Sequence, residues 1–233
     1  MWCAKIDVRS RTLCATASGD FTAKLWCVST GKELHELKHK HIVRSVDFSS
    51  DTEMLCSGCH DGVIRIFQTA RLEAPPTERI SPTSPREVIM KVLWLDENRI
   101  LVGRKSGLLE AVDRRVDGVV QSLQMAGGGS IMDMELNAAH NTILIASGKT
   151  VSFHSIDSID MQKSFTMPEG MHFQEEGGAS LHPRGHLFMA GASDLWLREF
   201  DSNSGEVLNT FKGHHGKQSS DFFGTLAIRL SSF

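Results

Sequence analysis

Apolar residues recur along the chain at an uneven spacing that repeats itself. Counted from His39 they fall at offsets of four, seven and nine, at Val43, Val46 and Phe48. The same offsets from Pro85 give Ile89, Val92 and Trp94, and from Gly127 they give Ile131, Met134 and Leu136. After the first of these clusters a polar turn from Phe48 to Glu53 leads to a second apolar run over 54–57. A tight turn from Gly58 to Gly62 then precedes a third run over 63–67. Short apolar runs bounded by Gly, Asp and Ser read as strands joined by antiparallel turns.

Aligning the third runs exposes two columns. The large residue ending each run is Trp26, Phe67, Val112, His154 and Phe200, at intervals of 41, 45, 42 and 46. Six residues earlier stands a turn residue: Asp20, Asp61, Ser106, Gly148 and Asp194. A period of about four strands, best seen in the runs Asp20–Trp26 and Asp61–Phe67, is the mark of a WD-repeat blade. The predicted fold is therefore all-β, a WD-repeat β-propeller with about five blades present. The repeats cover about 1–37, 38–80, 84–124, 126–167 and 171–212, with a divergent tail at 213–233, and are read as one partial propeller domain.

Breakers fall between repeats, as a propeller requires. The stretch 71–86 holds Pro75, Pro76, Pro82 and Pro85, which cannot donate to a ladder, so it reads as a surface loop. Ser81-Pro82 and Ser84-Pro85 have the form of phosphorylation sites, although any exposed Pro-rich loop has that look, and the plain loop is the preferred reading. Gly127-Gly128-Gly129 sits one repeat later and is followed by a strand, which argues against a phosphate cradle.

Composition narrows the class of function. With 40% hydrophobic and 23% charged residues the chain can bury a core, and disorder is not expected. A formal net charge of -3 disfavours a protein whose main work is gripping nucleic-acid phosphates. The five cysteines, at 3, 14, 27, 56 and 59, with no basic and apolar leader at the start, read as reduced thiols of a soluble cytoplasmic and nuclear protein. No apolar run reaches the length of a membrane span, so no membrane insertion is expected.

WD-repeat blades are often locked by a buried polar chain of His, Ser or Thr, turn Asp and third-strand Trp. By that resemblance the blade staples here are His39, Ser57 and Asp61 in the second repeat, with Phe67 in the Trp position, and Thr16, Asp20 and Trp26 in the first. An Asp in a tight turn can accept backbone and imidazole N–H groups, which would otherwise be buried unpaired at about 1–3 kcal/mol each. The His column continues as Pro85, Gly127, His172 and His214. Repeats three and four thus lack the staple and are expected to rely on packing, while the fifth keeps His172 and Asp194. These histidines are read as structural rather than as bases or metal ligands.

Several separated blocks are similar to one family. The runs Asp20–Trp26, His39–Phe48, Val151–Ser155, Ser180–Pro183 and Ser204–His214, with Lys163–Phe165, resemble the serine/threonine kinase receptor-associated (Unrip) family from about Trp2 to Gly216. The resemblance implies a seven-bladed propeller of which this chain is a part. It also implies a non-enzymatic scaffold with protein partners: components of the survival-motor-neuron complex in spliceosomal snRNP assembly, and TGF-β receptor and Smad proteins. The family's chain begins more than a repeat earlier. Beyond Gly216 the apolar offsets become Gln218, Asp221 and Phe223, which would turn polar groups inward.

No catalytic, cofactor or metal residue is expected in this sequence. Cys56, Cys59 and His60 match a haem-attachment pattern, but they lie where the repeat already calls for strand and turn residues, and no second Cys pair is near. Glu175 and Glu176 are adjacent, so in a strand they would point to opposite faces and make a poor acid/base pair. Lys38, Lys40 and Arg44 with His39 and His41 form a basic cluster without an aromatic among them in sequence, so direct RNA binding is not expected.

Overall fold

Three apolar residues spaced by three and then two positions cannot all face one side of a regular strand, because side chains alternate. The computed structural model, which describes residues 1–116, 118–174 and 177–212, resolves this with a β-bulge at one place in three sheets. In β5 (Val43–Phe48) the pairing passes from Val43 with Cys59 to Ser45 with Gly58, leaving Arg44 as the extra residue. Met90 is the extra residue in β9 (Ile89–Trp94), and Met132 in β13 (Ile131–Asn137). Each bulge rephases its strand, so that Val43 and Val46, Ile89 and Val92, and Ile131 and Met134 are all buried.

Among the described residues the strands form five four-stranded antiparallel sheets, each with its strands in chain order. This is the WD-repeat blade, and the fold is all-β in the propeller architecture. The chain divides into two compact units, Met1–Leu123 and a second beginning at Gln124. The first unit holds the sheets β1 (Cys3–Ile6), β2 (Leu13–Ala17), β3 (Thr22–Cys27), β4 (Glu33–Lys38); β5, β6 (Met54–Cys59), β7 (Val63–Gln68), β8 (Thr77–Ile80); and β9, β10 (Arg99–Arg104), β11 (Leu108–Asp113), β12 (Val119–Gln124). The second holds β13, β14 (Thr142–Ser147), β15 (Thr150–Ser155), β16 (Met161–Thr166) and β17 (Gly178–Leu181), β18 (Leu187–Gly191), β19 (Leu197–Asp201), β20 (Val207–Phe211).

Burial follows strand position within a sheet. Every residue of β9 and β14 is buried, whereas every residue of the outermost strand β20 is exposed. In the first unit, Cys3, Ala15, Ala17, Ala23 and Leu25 pack on Val43, Val46, Phe48, Leu55 and Phe67 to join the first two sheets. Cys56, Ile64 and Ile66 pack on Ile89, Val92, Ile100 and Val102 to join the second and third. In the second unit Phe188 stacks on Phe200 with centroids 4.8 Å apart and meets Phe153 edge-on at 5.5 Å.

One boundary differs from the sequence expectation. The sequence pattern puts the start of the tight turn at Gly58, whereas β6 continues to Cys59. Gly58 lies against the third sheet, where an added Cβ would meet Ile89 Cγ2 at 2.5 Å and Val92 Cγ1 at 2.8 Å. Its glycine therefore marks a close approach between sheets, which a turn glycine imitates in sequence.

Candidate functional site

The staple positions are spread over the second and third strands of each sheet, the turn between them and the segment before the first strand, and the structure sorts them into pairs. In the first sheet Trp26 Nε1 donates to Thr16 Oγ1 at 2.9 Å. Asp20 lies apart from both. It is exposed and accepts from the amide and hydroxyl of Thr22 at 3.0 and 2.8 Å, which closes the turn locally.

In the second sheet His39 Nδ1 lies 2.9 Å from the Leu37 carbonyl and Nε2 lies 2.7 Å from Ser57 Oγ. A carbonyl can only accept, so Nδ1 carries the proton and Nε2 accepts from the Ser57 hydroxyl. Burial pushes the His39 pKa down to about 4, against an opposing pull from the Leu37 carbonyl. Asp61 is not part of this pair. Both its oxygens go to Arg65, at 3.3 and 2.8 Å, and one also accepts the Val63 amide at 3.1 Å. Burial alone would raise the Asp61 pKa, but these partners hold it below the usual carboxylate range. Arg65, four residues beyond the turn residue, is itself buried and is the partner that the staple reading missed.

The third and fourth sheets correct the expectation that packing alone would hold them. Glu110 stands four residues after Ser106, the turn residue, and is paired through Oε2 with Arg104 Nε at 2.5 Å, both side chains fully buried. Glu110 Oε1 accepts hydroxyls from Ser81 at 2.6 Å, Thr83 at 3.0 Å and Ser84 at 3.3 Å. In the fourth sheet His154, in the large-residue column, is buried with Nδ1 3.0 Å from the Ile159 carbonyl and Nε2 2.9 Å from Ser152 Oγ. Its turn residue is Gly148, at φ +56, where a Cβ would collide with the Gly128 carbonyl. The triple-glycine loop occupies the space that an Asp would need.

In the fifth sheet Asp194 pairs with Arg198 at 2.5 Å, four residues on, as Asp61 pairs with Arg65. The His172 amide donates to Ser193 Oγ at 3.0 Å, while His172 Nδ1 is buried without a hydrogen-bond partner. His172 and Asp194 are thus not joined. His214, Glu175, Glu176 and the tail 213–233 lie outside the described residues.

The thiols of the CxxCH segment do not converge. Cys56 and Cys59 are three apart in β6, so alternation turns them to opposite faces, and Cys59 Sγ donates to the His41 carbonyl at 3.3 Å. Among the described residues no three His, Cys, Asp or Glu side chains are arranged to hold a metal ion.

At the turn end of the first two sheets the basic cluster acquires the aromatics that it lacks in sequence. Arg44, the extra residue of the β5 bulge, lies over the Trp2 ring at 4.2 Å. His41 lies between Phe21, at 5.5 Å, and His60, at 5.4 Å. Trp2 and Phe21 are 38% and 45% exposed, so the surface offers flat apolar rings edged by cations. Burial, and then the nearby charge of Arg44, His41 and Lys105, lower the His60 pKa. Such a surface suits an acidic segment of a partner, through charge and cation–π contact.

Comparison with known proteins gives the chain its relatives. The family model described as "WD domain, G-beta repeat" matches residues 31–68, which hold β4 and the first three strands of the second sheet. Proteins named serine-threonine kinase receptor-associated protein from Gallus gallus and Homo sapiens are each 36% identical over 216 residues, which is 93% of this chain and 59% of theirs. The protein of that name from Dictyostelium discoideum is 31% identical over 86% of this chain and 66% of its own length. Eukaryotic translation initiation factor 3 subunit I from Drosophila willistoni is 31% identical over 68% of the chain and 51% of its own. The chain spans about three-fifths of the length of the first of these relatives.

Proposed function

We propose that the chain, which carries a WD-repeat match and is 36% identical to serine-threonine kinase receptor-associated proteins over 93% of its length, is a non-catalytic interaction scaffold. The observation that carries this reading is the fate of its polar side chains. The buried Ser57, Arg65, Arg104 and Glu110 and the half-buried Thr16, Trp26, His39 and Asp61 are hydrogen-bonded or ion-paired to one another within sheets, where they fix shape. A propeller of this kind acts through the loops that its sheets carry.

The partners follow from the resemblance to the Unrip family: components of the survival-motor-neuron complex during spliceosomal snRNP assembly, and TGF-β receptor and Smad proteins. Such a role places the protein in the cytoplasm and nucleus and requires no cofactor. The Trp2–Arg44 and Phe21–His41–His60 surface is the contact face in this reading, taking an acidic segment of a protein partner. The test is affinity purification of the full-length product from cells, with identification of what copurifies. Enrichment of survival-motor-neuron components supports the reading. Recovery of an unrelated assembly leaves a WD-repeat adaptor with other partners, and turnover of a small substrate returns the enzyme class.

A further inference from the structure

The loop that joins the second sheet to the third covers a buried ion pair. It runs from the end of β8 to the start of β9 and carries Ser81-Pro82-Thr83-Ser84-Pro85. All three of its hydroxyls converge on one oxygen of Glu110, at 2.6, 3.0 and 3.3 Å, and Ser84 Oγ also lies 3.2 Å from Ser81 Oγ. The other oxygen of Glu110 takes Arg104, whose Nη1 donates to the Glu87 carbonyl at 2.8 Å. The loop is thus held by hydroxyls donating to a carboxylate, at the seam where Ile64 and Ile66 pack on Ile89 and Val92.

Two features make the loop modifiable. Pro82 and Pro85 have no N–H to anchor it, so its hold on Glu110 rests on the hydroxyls of Ser81, Thr83 and Ser84, the groups that a phosphate would alter. Ser81 is buried but Ser84 is half-buried, and each is followed by proline, the dipeptide that proline-directed kinases recognise.

We propose that Ser84 is an acceptor for a proline-directed Ser/Thr kinase, and that phosphate there ejects the loop from the seam between the second and third sheets. Ser84 Oγ attacks the γ-phosphorus of ATP. The new O–P bond forms as the bond to the ADP oxygen breaks, ADP leaves, and the hydroxyl proton passes to the kinase's base. The product has lost its donor and carries about -1.5 to -2 charge at pH 7. That charge faces Glu110, a buried carboxylate, in a setting of low dielectric where like charges repel strongly. This inference holds whichever partner the scaffold binds.

The experiment treats the whole 233-residue chain with a proline-directed kinase of the mitogen-activated class and Mg·ATP. Modified residues are mapped by mass spectrometry, and limited tryptic cleavage after Arg79 and Arg86 is timed. The expected result is phosphate on Ser84 with cleavage accelerated by about ten-fold or more, since cleavage follows the population of the open loop. Ser84→Asp should open the loop while Ser84→Asn, which keeps a donor and no charge, should not; this pair reads the same effect without the kinase. Phosphate confined to Ser81 or Thr83, or none at all, would overturn the assignment. So would a modified Ser84 with unchanged or slower cleavage, the latter meaning that Arg104 has taken the phosphate into the seam.

Discussion

Glu110 occupies in the third sheet the place that Arg65 holds in the second. Each is the third residue of the third strand and lies four positions after the turn residue, Ser106 for Glu110 and Asp61 for Arg65. The sign at this buried position is opposite in the two sheets, and so is the source of its partner: the turn supplies Asp61 to Arg65, whereas the end of β10 supplies Arg104 to Glu110. What a blade requires here is neutralisation of a buried charge, and either order of charges meets that requirement.

Removing one partner of the fully buried pair should be costly for that reason. Glu110→Gln leaves Arg104 charged inside the sheet and should lower stability by about 3–5 kcal/mol. The double variant Arg104→Met with Glu110→Leu removes both charges and should cost much less. Urea unfolding midpoints of the three proteins check this, and a Glu110→Gln chain as stable as the parent would contradict it.

His39 should give the fold an acid-side weakness. In the unfolded chain its pKa takes the ordinary value of 6.5, and in the fold burial holds it near 4. Between those values the unfolded state binds the extra proton, so stability falls as pH drops from about 6.5 toward 4 and does not depend on His39 above that window. The loss across the window should be on the order of 2 kcal/mol. His39→Gln should flatten the profile relative to the parent in urea melts at pH 7.5, 6 and 5. Parallel profiles would mean that His39 is not held neutral.

How much of this was legible in the sequence depended on whether the signal was periodic. The offsets at Val43, Val46 and Phe48 marked the strand, while the bulge that reconciles their step of three with alternation is visible only in the pairing register. Thr16 with Trp26 and His39 with Ser57 were found because the repeat template fixes their positions. Arg65 sits four residues after Asp61 yet has no place in the template, because a turn Asp can be satisfied by backbone amides alone and nothing in the spacing shows that this one also takes a guanidinium. Glu110 departs from the template for a different reason: its ion-pair partner Arg104 comes from the end of β10, and its hydroxyl partners come from a Pro-rich loop that reads as solvent-facing. The aromatic members of the basic surface were missed because Trp2 and Phe21 are far from Arg44 and His41 in the chain and reach them only when adjacent sheets align.

The thiols should react in a definite order. Hydrogen bonds from Ser29 and Thr30 bring the Cys27 pKa down to about 7, with its Sγ 3.2 Å from Ser29 Oγ. Burial raises the pKa of Cys14, Cys56 and Cys59, and most strongly that of Cys56. Because the thiolate is the nucleophile, iodoacetamide at pH 7.5 should modify Cys27 first and Cys56 only on unfolding. Peptide mapping over time measures the order. Ser29→Ala should slow Cys27, and an unchanged rate would show that the serine does not tune it.

The exposed cation–aromatic surface should carry partner binding without carrying stability. Interface energy concentrates in a few aromatic and arginine side chains, often at about 2 kcal/mol or more each, and Trp2 with Arg44 is such a pair, already assembled before any partner arrives. Neither residue fills the core between the first and second sheets, which is built from the inward residues Val43, Val46 and Leu25. Trp2→Ala with Arg44→Ala should therefore cut recovery of copurifying proteins by about ten-fold or more while moving the melting temperature by only a few degrees. Because the contact is partly ionic, binding by the parent should also weaken as salt rises past the range where the Debye length falls below about 8 Å. Recovery unchanged in the double variant would move the contact face elsewhere on the blades. Loss of bound RNA in place of protein would return the nucleic-acid reading that the net charge of -3 argued against.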